Sequence, residues 1–334
     1  MNTERRFESK RIDHLGIVAG ICHEIGLIRA IDEAVGSTGR KVSCGAAVQA
    51  MVLNALGFSS RALYLMPQYL NNKPVDLLIA PGLTAEDFND DTLGRSLDQL
   101  FETGVTEVFA RVAQQALNVY GIETRFYHLD STTFHVHGQY KQHEENNQEK
   151  SNAEESSNAE ENSKEATTAQ PALIEIAYGY SKDHRPDLKQ VVVNLITAHR
   201  SQLPVWMEAL SGNQSDRASF PKTIQAFRKQ VEEGEEPFFV VDSALYSADN
   251  LKTLEEIRWL TRVPATIAEA KRLMEETDLQ TMTALENGYA YREVSSNYGG
   301  VAQRWLVVHS TQAAQRPGGV SRWALEVATL QDEP

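Results

Sequence analysis

The sequence predicts an α/β protein: a mixed sheet with helices, preceded by an all-α N-terminal domain and followed by part of a β-rich insertion. Three observations carry that expectation. Apolar residues recur every three or four positions over residues 12–120, the spacing switches to period two among β-branched and aromatic residues after Gly121, and beyond Val191 strand-like and helix-like runs alternate. A chain of 334 residues with 41% hydrophobic content is long enough for two or three compact units.

The helical part, residues 1–120, is clearest in segments 16–31, 44–56 and 105–119, punctuated by Gly57, Pro67, Pro74, Pro81 and Gly82. Thr84-Ala-Glu-Asp offers a capping box, and Asn89 or Asp90 is placed to cap a helix through Leu93, Leu97 and Leu100. Short helices joined by tight turns suit a helix-turn-helix, although most small helical domains do not read DNA.

The run Arg125-Phe-Tyr-His-Leu-Asp-Ser-Thr-Thr-Phe-His-Val reads as a strand. Residues 141–170 follow with eight Glu against three Lys, few apolar side chains and the tandem hexapeptides Ser-Asn-Ala-Glu-Glu-Ser and Ser-Asn-Ala-Glu-Glu-Asn. Such a composition cannot bury enough surface to offset its ordering entropy, so a disordered acidic insertion is expected. Order returns after Tyr178 and leads to strands over 191–197 and 204–210. A helix over 219–233 is expected next, with Ser219 as N-cap and Pro221 in the first turn. A buried strand over 237–242, a short helix over 248–256 and a strand over 258–263 complete the series. Strand, strand, strand, helix, strand, helix, strand is the order of a ribonuclease H-like sheet, here assigned to residues 121–265. Alternating runs at 291–295 and 304–308 around Asn297-Tyr-Gly-Gly predict a hairpin in the partial insertion 266–315, and 316–334 forms a tail of different character.

Bulk properties narrow the function. The net charge of -14 disfavours a protein that coats nucleic acid without specificity, because phosphate neutralisation needs Lys and Arg. Charge is uneven, however. Residues 182–229 hold eight basic side chains against four acidic ones, a local excess of four. Cys22 and Cys44 are too few for a disulfide framework and are expected in the core. With no apolar run of membrane-spanning length and a charged N-terminus, the chain reads as soluble and cytoplasmic.

Two carboxylates stand out. Asp130 lies within an apolar and aromatic strand, and Asp242 ends another; each precedes small residues, Ser131-Thr-Thr and Ser243-Ala. A strand-end Asp that merely caps a turn accounts for either alone. Two of them on strands that the predicted order places side by side fit a shared divalent ion, and Mg²⁺ (or Mn²⁺) favours one or two carboxylates plus phosphate oxygens. Such ions serve in-line phosphoryl transfer, one activating the attacking oxygen and one steadying the leaving oxygen. His128, His135 and His137 flank Asp130 but give no closed zinc set. Trp206, Trp259 and Trp305 are expected in the core.

The segments His128-Leu-Asp-Ser-Thr-Thr-Phe, Gly179-Tyr-Ser-Lys-Asp-His-Arg-Pro-Asp-Leu-Lys-Gln, Leu210-Ser-Gly-Asn-Gln-Ser-Asp and Val240-Val-Asp-Ser-Ala-Leu-Tyr resemble those of bacterial insertion-sequence DDE transposases of the IS-four-like superfamily. Within it, the chain is similar to the group with an N-terminal helical domain of unknown function. The resemblance covers almost all of residues 10–315 and implies that Asp130 and Asp242 are the first two acids of the catalytic triad. It also implies DNA phosphate contacts by Lys182, Arg185 and Lys189, DNA ends and target as partners, and a homo-oligomer on DNA. The third acid of the family is a Glu within a Tyr, Arg, Glu, Lys signature on a helix. Here Tyr289 and Arg292 keep the first spacing, but the Glu position falls on Ser296 in the expected hairpin; neither Glu293 nor Glu326 replaces it. The expectation is therefore a C-terminally truncated transposase, frameshifted near Arg316 and lacking strand transfer. Alternatives are a DNA-binding or dimerising inhibitor and a ribonuclease H-like nuclease or resolvase.

Overall fold

The computed structural model describes residues 9–138, 140, 173–230, 236–314 and 323–329. The acidic insertion expected over 141–170 lies outside the described residues. No helix among the described residues is long and apolar enough to cross a membrane.

The N-terminal part is helical, as its spacing requires. Its main helices are α1 (Leu15–Glu24), α2 (Leu27–Val35), α3 (Cys44–Ala55), α4 (Met66–Leu70), α5 (Val75–Leu78), α6 (Asp90–Thr103) and α7 (Val105–Tyr120). The ends follow local chemistry. Thr84 and Asp87 form the capping box of a 3-10 turn, and the Asn89 side chain accepts from Thr92 N at 2.9 Å to start α6. Leu53, Met66, Leu70, Phe88 and Leu93 are fully buried in this core, and Cys22 and Cys44 are buried thiols. Burial pushes the Cys44 thiol up to about 11, and the Asp32 carboxylate adds to the shift.

Helix α7 belongs to two cores. Val108 and the half-buried Val112 pack with Cys22, Leu27 and Ile31, whereas Ala113 and Leu117 pack with sheet residues such as Tyr127 and Val205. It ends at Gly121, whose φ of 57° and ψ of 43° form a left-handed cap.

The sheet is built from β1 (Phe126–Val136), β2 (Lys189–Ala198), β3 (Pro204–Ser211), β4 (Phe238–Val241), β5 (Trp259–Arg262), β6 (Thr283–Ala284), β7 (Tyr289–Ser296), β8 (Gln303–Ser310) and β9 (Trp323–Thr329). Their spatial order is β3-β2-β1-β4-β5-β9-β8-β7-β6. Strand β2 runs antiparallel to β1 and β3, while β4 runs parallel to β1 and β5. With α8 (Asp216–Arg228) before β4 and α9 (Ala248–Thr253) before β5, this is the ribonuclease H-like fold expected. The hairpin β7–β8 forms with Tyr291 opposite Val308, and a further helix, α10 (Ala268–Glu276), precedes it. The strands expected as a β-rich insertion continue the same sheet, because β9 pairs with both β5 and β8.

Period-two patterning aims alternate residues at the helices. Tyr127 and Leu129 of β1, Ile196 of β2, Trp206 of β3, Phe239 and Val241 of β4 and Trp259 of β5 join Phe220, Ile224 and Phe227 of α8 in one core, with Trp305 of β8. The opposite face, with Phe126 and His128 of β1, Val193 and Leu195 of β2 and Val240 of β4, is half-buried.

Helix α8 corrects one expectation. It starts at Asp216 after Ser215, not at Ser219, so Pro221 lies inside it. A proline there has no N–H for the carbonyl four residues back. Asn250 Nδ2 supplies the missing donor, reaching Arg217 O at 2.9 Å and Leu245 O at 3.2 Å.

Candidate metal centre

Strand β4 is short, and its end builds the site. Its parallel ladder with β1 starts with Phe238 N donating to Arg125 O and runs to Leu129 opposite Val241. The next residues in register are Asp130 and Asp242. Parallel neighbours lie about 4.8 Å apart, so the two carboxylates spring from adjacent backbone positions. The sequence-predicted pair is therefore brought together.

Each aspartate is tethered by one oxygen. Asp130 Oδ1 accepts from Ser131 N, and Asp242 Oδ1 accepts from Ala244 N, both at 2.8 Å. Asp242 also has its carbonyl held by Thr261 Oγ1 at 2.7 Å. Neither Oδ2 has a hydrogen bond among the described residues, and the Asp130 side chain is 78% exposed. Hard carboxylate oxygens, two to a site and open to water, suit Mg²⁺ or Mn²⁺.

The turn after β4 has a second effect. Continued by two-residue steps, the ladder would bring Ala244 N to Ser131 O. That N–H is diverted to Asp242 Oδ1. Lys182 takes the vacated place: its Nζ donates to Ser131 O at 2.6 Å and to Ser131 Oγ at 2.8 Å, and lies 3.4 Å from Asp130 Oδ1 and 3.5 Å from Asp216 Oδ2. Ser131 Oγ in turn donates to Asp216 Oδ1 at 2.6 Å.

Lys182 is delivered by a tight crossing of backbones. Ala177 bridges to Gln190, whose Nε2 donates to Tyr180 O at 3.1 Å and to Gly212 O at 2.9 Å. A Cβ on Gly179 would strike the Gly212 carbonyl, and one on Gly212 would strike the Gln190 carbonyl. Two of the motifs singled out in the sequence thus meet here.

The other basic candidates stand differently. Arg185 forks onto Asp187 with contacts of 2.8 and 2.7 Å, and that guanidinium holds the Asp187 carboxyl down at about 2. Lys189 opens β2, and its Nζ donates to Tyr140 O at 2.5 Å. The histidines do not converge on Asp130: His128 pairs with His199 at 2.8 Å, while His135 meets Ser181 Oγ at 3.0 Å and Asp183 at 3.5 Å. Burial, followed by His199, lowers the His128 imidazole below its usual range.

Among the described residues, no group of three or more His, Cys, Asp or Glu side chains is placed to hold a metal. Ser296 lies on β7, where its hydroxyl approaches Glu269 at 3.3 Å, and Glu293 pairs with Arg304 at 3.9 Å. Sequence reasoning missed Asp216. The available signal was its place at the end of the Gly212-Asn-Gln-Ser-Asp run.

Comparison with known families separates the chain into two matches. Residues 7–114 match a domain of unknown function (DUF4277), and residues 123–305, which make up 183 of 334, match the transposase DDE domain. The chain belongs to the transposase DDE domain family. Its DDE match begins just before β1 and ends within β8, so it contains both Asp130 and Asp242. No curated protein matches the chain. Among solved structures, a piggyBac transposase synaptic complex with hairpin DNA, determined by cryo-EM, is 8% identical with a TM-score of 0.42; the match covers 94% of this chain and 61% of that one. That likeness is distant, and the family assignment rests on the DDE domain match.

Proposed function

We propose that this protein is an insertion-sequence transposase in which Asp130 and Asp242 hold Mg²⁺ or Mn²⁺ for phosphoryl transfer on DNA ends. The supporting observation is the register of β1 and β4, which sets the two aspartates side by side. A bound ion would supply charge neutralisation and activation of the attacking hydroxyl. The chain's own residues divide the remaining work. Asp130 and Asp242 each present one untethered oxygen, Lys182 presents a cation to the DNA phosphate, and Arg185 and Lys189 extend the positive track. Residues 1–120 engage the element ends, and the protein works as a homo-oligomer on DNA.

The direct test is Mn²⁺ binding to the purified chain by electron paramagnetic resonance. Wild type is expected to bind, and Asp130→Asn and Asp242→Asn are each expected to weaken binding at least tenfold, about 1.4 kcal/mol. Equal binding by all three proteins overturns the assignment.

A second reading has its own support: no third carboxylate joins the pair among the described residues. On that reading the chain binds ends or other transposase copies without joining strands, as an inhibitor. Incubation with element-end DNA and Mn²⁺ separates the two. Robust cleavage lost in Asp242→Ala favours the active enzyme, and salt-sensitive binding without cleavage favours the inhibitor.

A further inference from the structure

Lys182 is held by more than its neighbour in the candidate metal centre. Its ammonium meets four oxygens: the carbonyl and hydroxyl of Ser131, one carboxylate oxygen of Asp130 and one of Asp216. A lysine on a four-carbon stem is ordinarily a mobile point charge. Here three elements converge on it. Strand β1 supplies Ser131, the first turn of α8 supplies Asp216, and the Gly179–Gln190 crossing supplies the backbone that carries Lys182.

The two faces of β1 explain the division of labour. Asp130 points to the half-buried face and is 78% exposed, whereas Ser131 points to the helix side and is buried. Asp216 reaches Ser131 from that helix side, and its side chain is 24% exposed. Its Oδ1 accepts from Ser131 Oγ, which orients the hydroxyl oxygen's free lone pair toward Lys182, while its Oδ2 faces the ammonium directly. Asp216 thus lies behind the lysine, away from the side on which Asp130 is open to solvent.

We propose that Asp216, acting with Ser131, is a positioning residue that clamps the Lys182 ammonium beside Asp130 so that it receives a non-bridging oxygen of the DNA phosphate at the metal centre. The inference rests on the reading of Asp130, Asp242 and Lys182 given above. It adds that the lysine's place is set by a carboxylate that does not itself touch metal or DNA. A prefixed cation costs no reorganisation when the phosphate arrives, which is the advantage of preorganised charge over a freely moving side chain.

The test is a double-mutant cycle in duplex DNA binding by the full chain, with Ca²⁺ present to prevent turnover and the salt concentration varied. Lys182→Gln is expected to weaken binding about tenfold and to reduce the salt slope by about 1, the loss of one phosphate contact. Asp216→Asn, which is isosteric, is expected to give a smaller loss in the same direction. The double variant is expected to match Lys182→Gln alone, because a clamp without its lysine has nothing to hold. Asp216→Glu, which keeps the charge, is expected to bind better than Asp216→Asn. Losses that add in full, wild-type binding by Asp216→Asn, or equal losses with Asn and Glu each overturn the clamp. Mn²⁺ binding keeps this failure distinct from that of the underlying reading. If Asp130→Asn abolishes Mn²⁺ binding while the cycle shows no coupling, the metal centre stands and the clamp alone falls.

Discussion

A proline inside a helix leaves an unpaired carbonyl, and Asn250 answers it. Two Nδ2 hydrogen bonds, to Arg217 O and Leu245 O, fasten α8 to the turn that follows Asp242. Asn250→Ala removes both; Leu245 O keeps the Ser247 N–H at 2.9 Å, but leaving Arg217 O unpaired is expected to cost about 1–3 kcal/mol, read as a lower urea midpoint with unchanged slope. A drop indistinguishable from wild type contradicts this account. Asp187 gives a pH signature at the same scale. Its carboxyl is depressed to about 2 by Arg185, so the pair persists above the ordinary carboxylate range and is lost as pH falls through about 2. A carboxyl NMR titration is expected to show that midpoint, and Arg185→Gln is expected to return it to the ordinary range. The juxtaposition of Asp130 and Asp242 could be anticipated from the sequence because an acid within an apolar strand, or directly after one, is conspicuous. Asp216 could not, since its meaning lies in a contact with a hydroxyl 85 residues away.

Most elements were announced by periodicity and caps. The capping box at Thr84, the Asn89 cap and the β7–β8 hairpin follow from residues adjacent in sequence. The early start of α8 was hidden because Pro221 reads locally as a first-turn residue, while the donor that lets it sit deeper comes from α9. Strand β9 was hidden for a related reason: its pairing with β5 and β8 is entirely non-local. Where segments cross, the two motif glycines make a sharp prediction. Gly212→Ala forces its methyl against the Gln190 carbonyl, and the overpacking is expected to cost about 1–3 kcal/mol and to displace the segment bearing Lys182. Weakened DNA binding, with a fall in melting temperature, is the expected outcome. Unchanged DNA affinity would show that the lysine does not depend on this crossing.

At the scale of the molecule, the helical region and the sheet are joined through α7. Because one helix contributes Val108 to the first core and Leu117 to the second, the loss of either core exposes apolar surface of the same element. Calorimetry is therefore expected to give one unfolding transition for the two regions, and two well-separated transitions would contradict the shared packing. The ribonuclease H-like order was readable from the alternation of runs, and this joint was not, since a helix with two apolar stripes looks like any other buried helix.

That joint bears on how the protein can be dissected. Between the two family matches lie residues 115–122, and a cut there passes through the last turns of α7. An isolated DDE-domain fragment beginning at residue 123 would leave Tyr127, Val205 and Phe227 without the Ala110 and Leu117 side that closes their crevice. Such a fragment should be sticky and poorly behaved in solution, whereas one that begins upstream of Val105 retains its lid.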